Sequence, residues 1–449
     1  MQSTIIIATE NAIYRNGDDF TDPNNIITPA STPTGGHWQF VNFNNKVVGA
    51  QRNHGLIVYD GGALFLPVTA VSGIAPVGGD TVCSAFGRLW VADDDEQTIK
   101  YSALLDETRW DSLDGGGQID MSTVWTQGRD RVVCIKALGA NLVVFGENHI
   151  IMWSDGQGSS IGLNPDTMYV VDTIEGTGCI ARDSVQAIGE GDMAYLSRHG
   201  VQLLGRVIQN RANPVEAISA NIKTYLRDLV SEQKQPDPQL QEVRATFHPE
   251  ESFYLLHIPR TGVTVVFDTR QMAKAQNGDN VMRVTTWELG GNVNCLTSTR
   301  DGRLLFGGDG IIGKYHGTND LGESFPVNIR TGWLDLGELN QRLKLLKAIN
   351  TIVRVTGVSN FDYSWGWDFA AADDVETVTI SYTGFTPSEY GEAEYGIGEF
   401  SGNLQIRSRR IPGKGTGQFI QISVATDVSG FNFILQQLQL TSKIGRLAV

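Results

Sequence analysis

Apolar positions along this chain come in short bursts separated by polar turns. Asn141 to Gly156, NLVVFGENHIIMWSDG, shows the unit: an apolar run at Leu142 to Phe145, a turn at Gly146-Glu147-Asn148, and a second run at Ile150 to Trp153 closed by Ser154-Asp155-Gly156. Runs of this length around such a turn predict a β-hairpin. The unit recurs as TIIIATENAIYRNG at Thr4, KVVGAQRNHGLIVYDG at Lys46, RLWVADDDEQTIKYS at Arg88, DMAYLSRHGVQLLG at Asp192, FYLLHIPRTGVTVVFD at Phe253 and RLLFGGDGIIGKYHG at Arg303. The spacing, about 40 to 60 residues, is that of four-stranded propeller blades. A lone hairpin cannot bury its apolar face, and radial stacking solves that problem. The pattern therefore predicts an all-β fold, a six- to seven-bladed β-propeller over residues 1–317. An N-terminal strand pair joining the last blade would close the ring with six complete blades.

Two segments depart from this rhythm. In NPVEAISANIKTYLRDLVSEQKQPDPQ, Asn213 is placed as an N-cap before Pro214, and Ile218, Ile222, Tyr225, Leu226 and Leu229 share one face. A helical insertion is expected at about 213–238, about five turns long and capping a propeller face or meeting a neighbouring subunit. From about Thr318 the runs lengthen and alternate (NTIVRVTGV, FDYSWGWDFA, ETVTISYTGF, NLQIRSRRI, QFIQISVAT, FNFILQQLQL), which predicts a C-terminal antiparallel β-sandwich over 318–449. NQRLKLLKAI fits a short helix or a strand edge equally well.

Composition changes the picture in three ways. The 51 glycines match a turn-rich fold, and the net charge of −15 argues against a surface that grips a phosphate backbone. The four cysteines form no CxxC pair and no disulfide framework, so free thiols are expected. Cys83, Cys134 and Cys295, and more loosely Cys179, precede hairpin copies, as suits small residues on crowded inner strands. The N-terminus reads as no export signal and no apolar run is long enough to span a bilayer, so the expectation is cytoplasmic synthesis without membrane insertion.

Candidate chemistry is sparse. Gly308 to Gly313 satisfies GxGxxG, but strand and turn follow where a dinucleotide site needs a helix. Asp93-Asp94-Asp95-Glu96 lacks the spacing and glycine of a calcium loop and reads as a solvated turn. His54, His149 and His199 sit at hairpin turns, with no HExxH or GxSxG motif. Phe361, Tyr363, Trp365, Trp367 and Phe369 fall at period two, either a sugar-stacking platform or half of the sandwich core. Arg407, Arg409, Arg410 and Lys414, with Lys344 and Lys347, are the candidate interaction residues, a basic cluster suited to an acidic partner or DNA, or a solvated strand face. No cofactor, metal or catalytic residue is expected.

The stretches KYSALLDETRWDSLDGGGQIDMS, ALGANLVVFGENHIIMWS and GTGCIARDSVQAIGEGDMAYLSRHGVQLL resemble consecutive blades of the tail-hub and tail-nozzle proteins of short-tailed bacteriophages. Trp110-Asp111 is no WD40 signature, since no Gly-His precedes it at blade spacing. The resemblance covers Met1 to about Gly317 and is loose beyond. It implies a non-enzymatic virion component that forms a homo-oligomeric ring, commonly a hexamer, below the portal and adaptor rings. Such a ring extends or closes the channel for viral DNA and carries fibres, a spike or a needle. An acidic conduit that repels the phosphate backbone agrees with the charge. The other reading is a soluble propeller glycan hydrolase or sugar-binding protein, using paired carboxylates or the aromatic strand.

Overall fold

A computed structural model describes residues 5–9, 12–15, 26–27, 37–126, 130–155, 165–189, 191–209, 217–233, 243–274, 280–336, 342–356, 358–370, 377–383 and 405–447. The chain divides into two compact units, Met1–Tyr315 and His316–Val449.

The first unit is a succession of antiparallel meanders in chain order. A two-stranded hairpin, β1 (Ile6–Ala8) and β2 (Ile13–Arg15), comes first. Blade 1 holds β3 (Gln39–Phe43), β4 (Lys46–Gln51), β5 (His54–Tyr59) and β6 (Leu66–Pro67). Blade 2 holds β7 (Gly78–Ala85), β8 (Arg88–Asp93), β9 (Thr98–Tyr101) and β10 (Gly117–Asp120). Blade 3 holds β11 (Val132–Leu138), β12 (Asn141–Gly146), β13 (His149–Ser154) and β14 (Tyr169–Glu175). Blade 4 has β15 (Gln186–Ile188), β16 (Asp192–Ser197) and β17 (Gly200–Leu203), followed by helices α1 (Leu204–Gln209) and α2 (Lys223–Gln233). Blade 5 holds β18 (Arg244–His248), β19 (Phe253–Ile258), β20 (Val263–Lys274) and β21 (Asn280–Glu288). Blade 6 has β22 (Cys295–Ser298), β23 (Leu304–Gly307) and β24 (Ile312–Lys314).

Blades 2 to 5 each bury one face on the blade before and the other on the blade after. In β8, Leu89 and Val91 pack toward blade 1, while Trp90 and Ala92 pack toward blade 3. In β12, Leu142 and Val144 face blade 2, and Val143 and Phe145 face blade 4. A strand covered on both faces has no use for alternation, and this is why the repeated hairpins read as continuous apolar runs. First strands of neighbouring blades also crowd one another: β7 lies against β3 and β4, β11 against β7, β18 against β15, and β22 against β18. That convergence is the β-propeller arrangement.

The repeated hairpin of the sequence is the second and third strands of every blade, from β4–β5 through β23–β24. Two details differ from expectation. Among the described residues the N-terminal pair is not hydrogen-bonded to blade 6: β1 pairs with β2, and Ile6, Ala8 and Ile13 pack on Ile57, Tyr59 and Phe65 of the blade 1 region. The helical insertion begins later than expected, since Ala217 to Ser219 are not helical. Ile218 lies in a turn, its N–H donating to the Val201 carbonyl and its carbonyl accepting from Met282, and a 3-10 turn at Ala220–Ile222 leads into α2. Leu226 and Leu229 pack between blades 4 and 5, whereas Tyr225 faces solvent. Asn213, Pro214 and the Gln235 to Pro238 stop lie outside the described residues.

The second unit is a β-sandwich. One sheet runs β25 (Phe325–Arg330), β31 (Ile420–Val428), β27 (Val358–Trp367) and β28 (Thr377–Thr383). The other centres on β26 (Arg342–Val355), flanked on one side by β29 (Gln405–Pro412) and β30 (Thr416–Gly417), and on the other by β32 (Phe433–Leu447). The ambiguous NQRLKLLKAI segment is strand from Arg342 on.

Candidate functional site

Equivalent turns of consecutive blades lie side by side, and their charged side chains form a ladder. Arg52, on the β4–β5 turn, pairs with Glu96 on the β8–β9 turn. Glu96 also receives Arg131, the residue before β11, at 3.3 Å. Arg131 bonds Glu147 on the β12–β13 turn at 2.6 Å, and Glu147 receives Arg198 from the β16–β17 turn at 2.9 Å. Four blades are thus joined by alternating charge.

Beneath the ladder is a buried carboxylate. Asp130 accepts from the backbone N–H of Glu147 at 3.1 Å and of Asn148 at 2.8 Å, and lies 2.9 Å from His149 Nδ1. Its own carbonyl accepts from the Gln97 side chain of blade 2, and the Val132 N–H donates to the Glu96 carbonyl. Burial alone would push the Asp130 carboxyl up, but the His149 hydrogen bond and the surrounding amides outweigh it and hold it below the usual carboxylate range. Asp130 therefore latches the connection between blades 2 and 3 to the middle turn of blade 3. Close passage of such connections demands glycine: a Cβ on Gly178 would stand 2.4 Å from the Gly146 carbonyl oxygen.

A second polar cluster joins blades 4 and 5. The Arg182 guanidinium grips Asp183 in two bonds, at 2.9 and 3.0 Å, and Arg244 at the start of β18 donates to the same carboxylate. Burial, with the Arg182 charge adding to it, brings Arg244 down to about 9. His257 is also interior, with Nδ1 2.9 Å from the Thr264 hydroxyl and Nε2 2.6 Å from the Val293 carbonyl oxygen. Nε2 therefore carries the proton, and burial lowers the ring's basicity.

Several expected sites change character. His149, placed at a hairpin turn, opens β13 and is buried against Asp130. Asp93 pairs with Lys100, Asp95 caps Gln97 and Thr98, and Glu96 belongs to the ladder, so that acidic run is engaged rather than merely solvated. Gly308 to Gly310 form the β23–β24 turn. Phe361, Tyr363 and Trp365 are wholly buried and Trp367 nearly so, which makes this strand core; only Phe369 is exposed.

The basic cluster does not converge. Lys344 is buried, its ammonium donating to the Asp335 and Gln418 carbonyls. Arg407 and Arg409 stand opposite Val353 and Thr351 on the core-facing side of β29, while Arg410 alternates to the other face. Lys347 and Lys414 are exposed, and the Lys414 carbonyl accepts from Trp365 and Trp367. Among the described residues, no group of three or more His, Cys, Asp or Glu side chains is placed to hold a metal. The four cysteines are free, three buried and Cys295 exposed on β22. Sequence reasoning missed Arg52, Asp130, Arg131, Asp183, Arg198 and Arg244. Aligning the middle turns (QRNH, DDDE, GENH, SRHG) exposes charge in every one, basic in the first and fourth and acidic in the second and third, the signal for the ladder.

No family model matches the chain, and no curated protein matches it. Among solved structures it is similar to the WD40 β-propeller domain of Doa1, at 12% identity over 63% of this chain and 93% of that one, TM-score 0.32. It is similar to dihydro-heme d1 dehydrogenase NirN, at 12% identity over 68% of this chain and 57% of that one, TM-score 0.38. It is also similar to PorZ of the Porphyromonas gingivalis type-IX secretion system, at 9% identity, TM-score 0.35; the match covers 68% of this chain but only 34% of PorZ. Likenesses this distant carry no activity across.

Proposed function

We propose that this chain is a structural, non-enzymatic component of a short-tailed phage tail, a hub or nozzle subunit that assembles as a ring around the DNA channel beneath portal and adaptor. The observation that best supports the reading is how the polar and charged groups between blades are used. Asp130 serves backbone amides and His149, Asp183 serves two arginines, and the Arg52–Glu96–Arg131–Glu147–Arg198 ladder crosses four blades. Each group ties one blade element to another. Such bracing suits a part that must hold its shape while DNA moves past. Within this reading the net charge of −15 keeps the duplex unbound in transit.

The test is assembly and DNA indifference together. Purified protein is expected as a closed ring by mass photometry and negative-stain microscopy, without salt-sensitive tight binding to duplex DNA. A monomer that binds a glycan, or a protein that grips DNA, would overturn the proposal.

A further inference from the structure

The four outer edges of the sandwich are unlike. The β25 edge carries Pro326 and Arg330, and the β29 edge carries Arg407, Arg409, Arg410 and Pro412. Charges and proline are the usual means by which an edge strand refuses a partner. β28, TVTISYT, has neither. β32, FILQQLQLTSKIGRL, has no charge or proline until Lys443, and from Gln437 to Thr441 it pairs with β26 without a register shift. Among the described residues no strand covers the outer edge of either.

The two open edges belong to different sheets, so a contact of each with its own kind would need two separate symmetric interfaces. A head-to-tail contact of β28 with β32 satisfies both with one interface, and that is the heterologous geometry from which rings close. Charge agrees. Beside β28 stands Asp362 of β27, opposite Thr379. Beside β32 stands Arg354 of β26, bonded to Gln436, and β32 itself ends in Lys443 and Arg446.

The geometry points to strand addition between copies: β28 of one subunit extends the β32–β26–β29 sheet of the next, with a second copy of this chain as occupant. Main-chain hydrogen bonds supply the adhesion and the flanking charges set polarity. This rests on the ring reading above.

Cysteine cross-linking tests it, since facing residues of adjacent strands lie within disulfide reach. In a Cys295→Ser background, each of Thr377→Cys, Thr379→Cys and Ser381→Cys is combined with each of Gln437→Cys, Gln439→Cys and Thr441→Cys, all solvent-exposed positions. Circular dichroism checks that each variant folds. Mild oxidation should give a ladder of linked copies in at least one pairing and no product from any single variant. Cross-linking of Gln439→Cys alone would mean self-pairing of β32 and overturn the inference. Rings that form but yield no cross-link in any pairing would overturn it and leave the ring reading standing. A monomer throughout would overturn both.

Discussion

Removing the Asp130 carboxylate should loosen the seam between blades 2 and 3. Asp130→Ala would strip the acceptor from His149 Nδ1 and from the Glu147 and Asn148 amides, bonded at 2.9, 3.1 and 2.8 Å. An orphaned buried donor costs about 1–3 kcal/mol, and breaking a buried charged contact on one side about 3–5 kcal/mol. Partial entry of water makes the lower part of the combined range the working figure, about 3–5 kcal/mol. At about 2 °C per kcal/mol, the melting temperature should fall by about 6–10 °C. Asp130→Asn keeps one acceptor oxygen and should cost about 2–3 kcal/mol. The carboxyl is held below its ordinary pKa of about 3.9, so its stabilisation is complete above that value and is lost as pH falls through the lower folded value. Urea melts of wild type and Asp130→Asn should therefore differ at pH 7 and converge as the pH falls through the lowered Asp130 value. A difference under about 0.5 kcal/mol at pH 7, or one that does not shrink in acid, would refute the latch.

Other consequences are simpler to measure. Glu147→Gln cuts the charge ladder at its centre and should cost about 0.5–1 kcal/mol in low salt, most of it gone in melts at about 1 M NaCl, because these groups are partly exposed and screened. Burial depresses His257, so the unfolded chain takes up the extra proton; its contribution is complete above about pH 6.5 and falls away below, and His257→Gln should flatten the stability slope between about pH 5 and 6.5. Trp365→Ala should cost about 3–5 kcal/mol in the sandwich by calorimetry, since Trp365 is wholly buried. Ellman titration of native protein at pH 8 should label Cys295 and leave Cys83, pushed up to about 11 by burial, and Cys179, pushed up to about 12, unmodified until denaturant is added.

The propeller was legible because its middle strands are buried on both faces and bounded by Gly, Asn and Asp turns, a pattern carried within each hairpin. Other features depend on distant partners. Asp130 precedes β11 in GRDRVVC and looks like an ordinary surface charge; its acceptor role exists only once the β12–β13 turn folds back over it. NQRLKLLKAI mixes apolar spacings of one, two and three, so only pairing of β26 with β29 and β32 makes it a strand. Among the described residues blade 4 shows three strands; the apolar face of Ile222, Leu226 and Leu229 announced α2, but nothing in LGRVIQ announces that α1 follows β17 directly. The arginines of β29 looked like one patch because they are close in sequence, whereas strand alternation sends Arg410 to the face opposite Arg409.

Mass photometry of the purified chain across nanomolar to micromolar concentration tests the central claim most directly. A single closed species near six times the 49.0 kDa subunit, seen as a ring by negative stain, is the expected result. A 49.0 kDa particle at every concentration would contradict it.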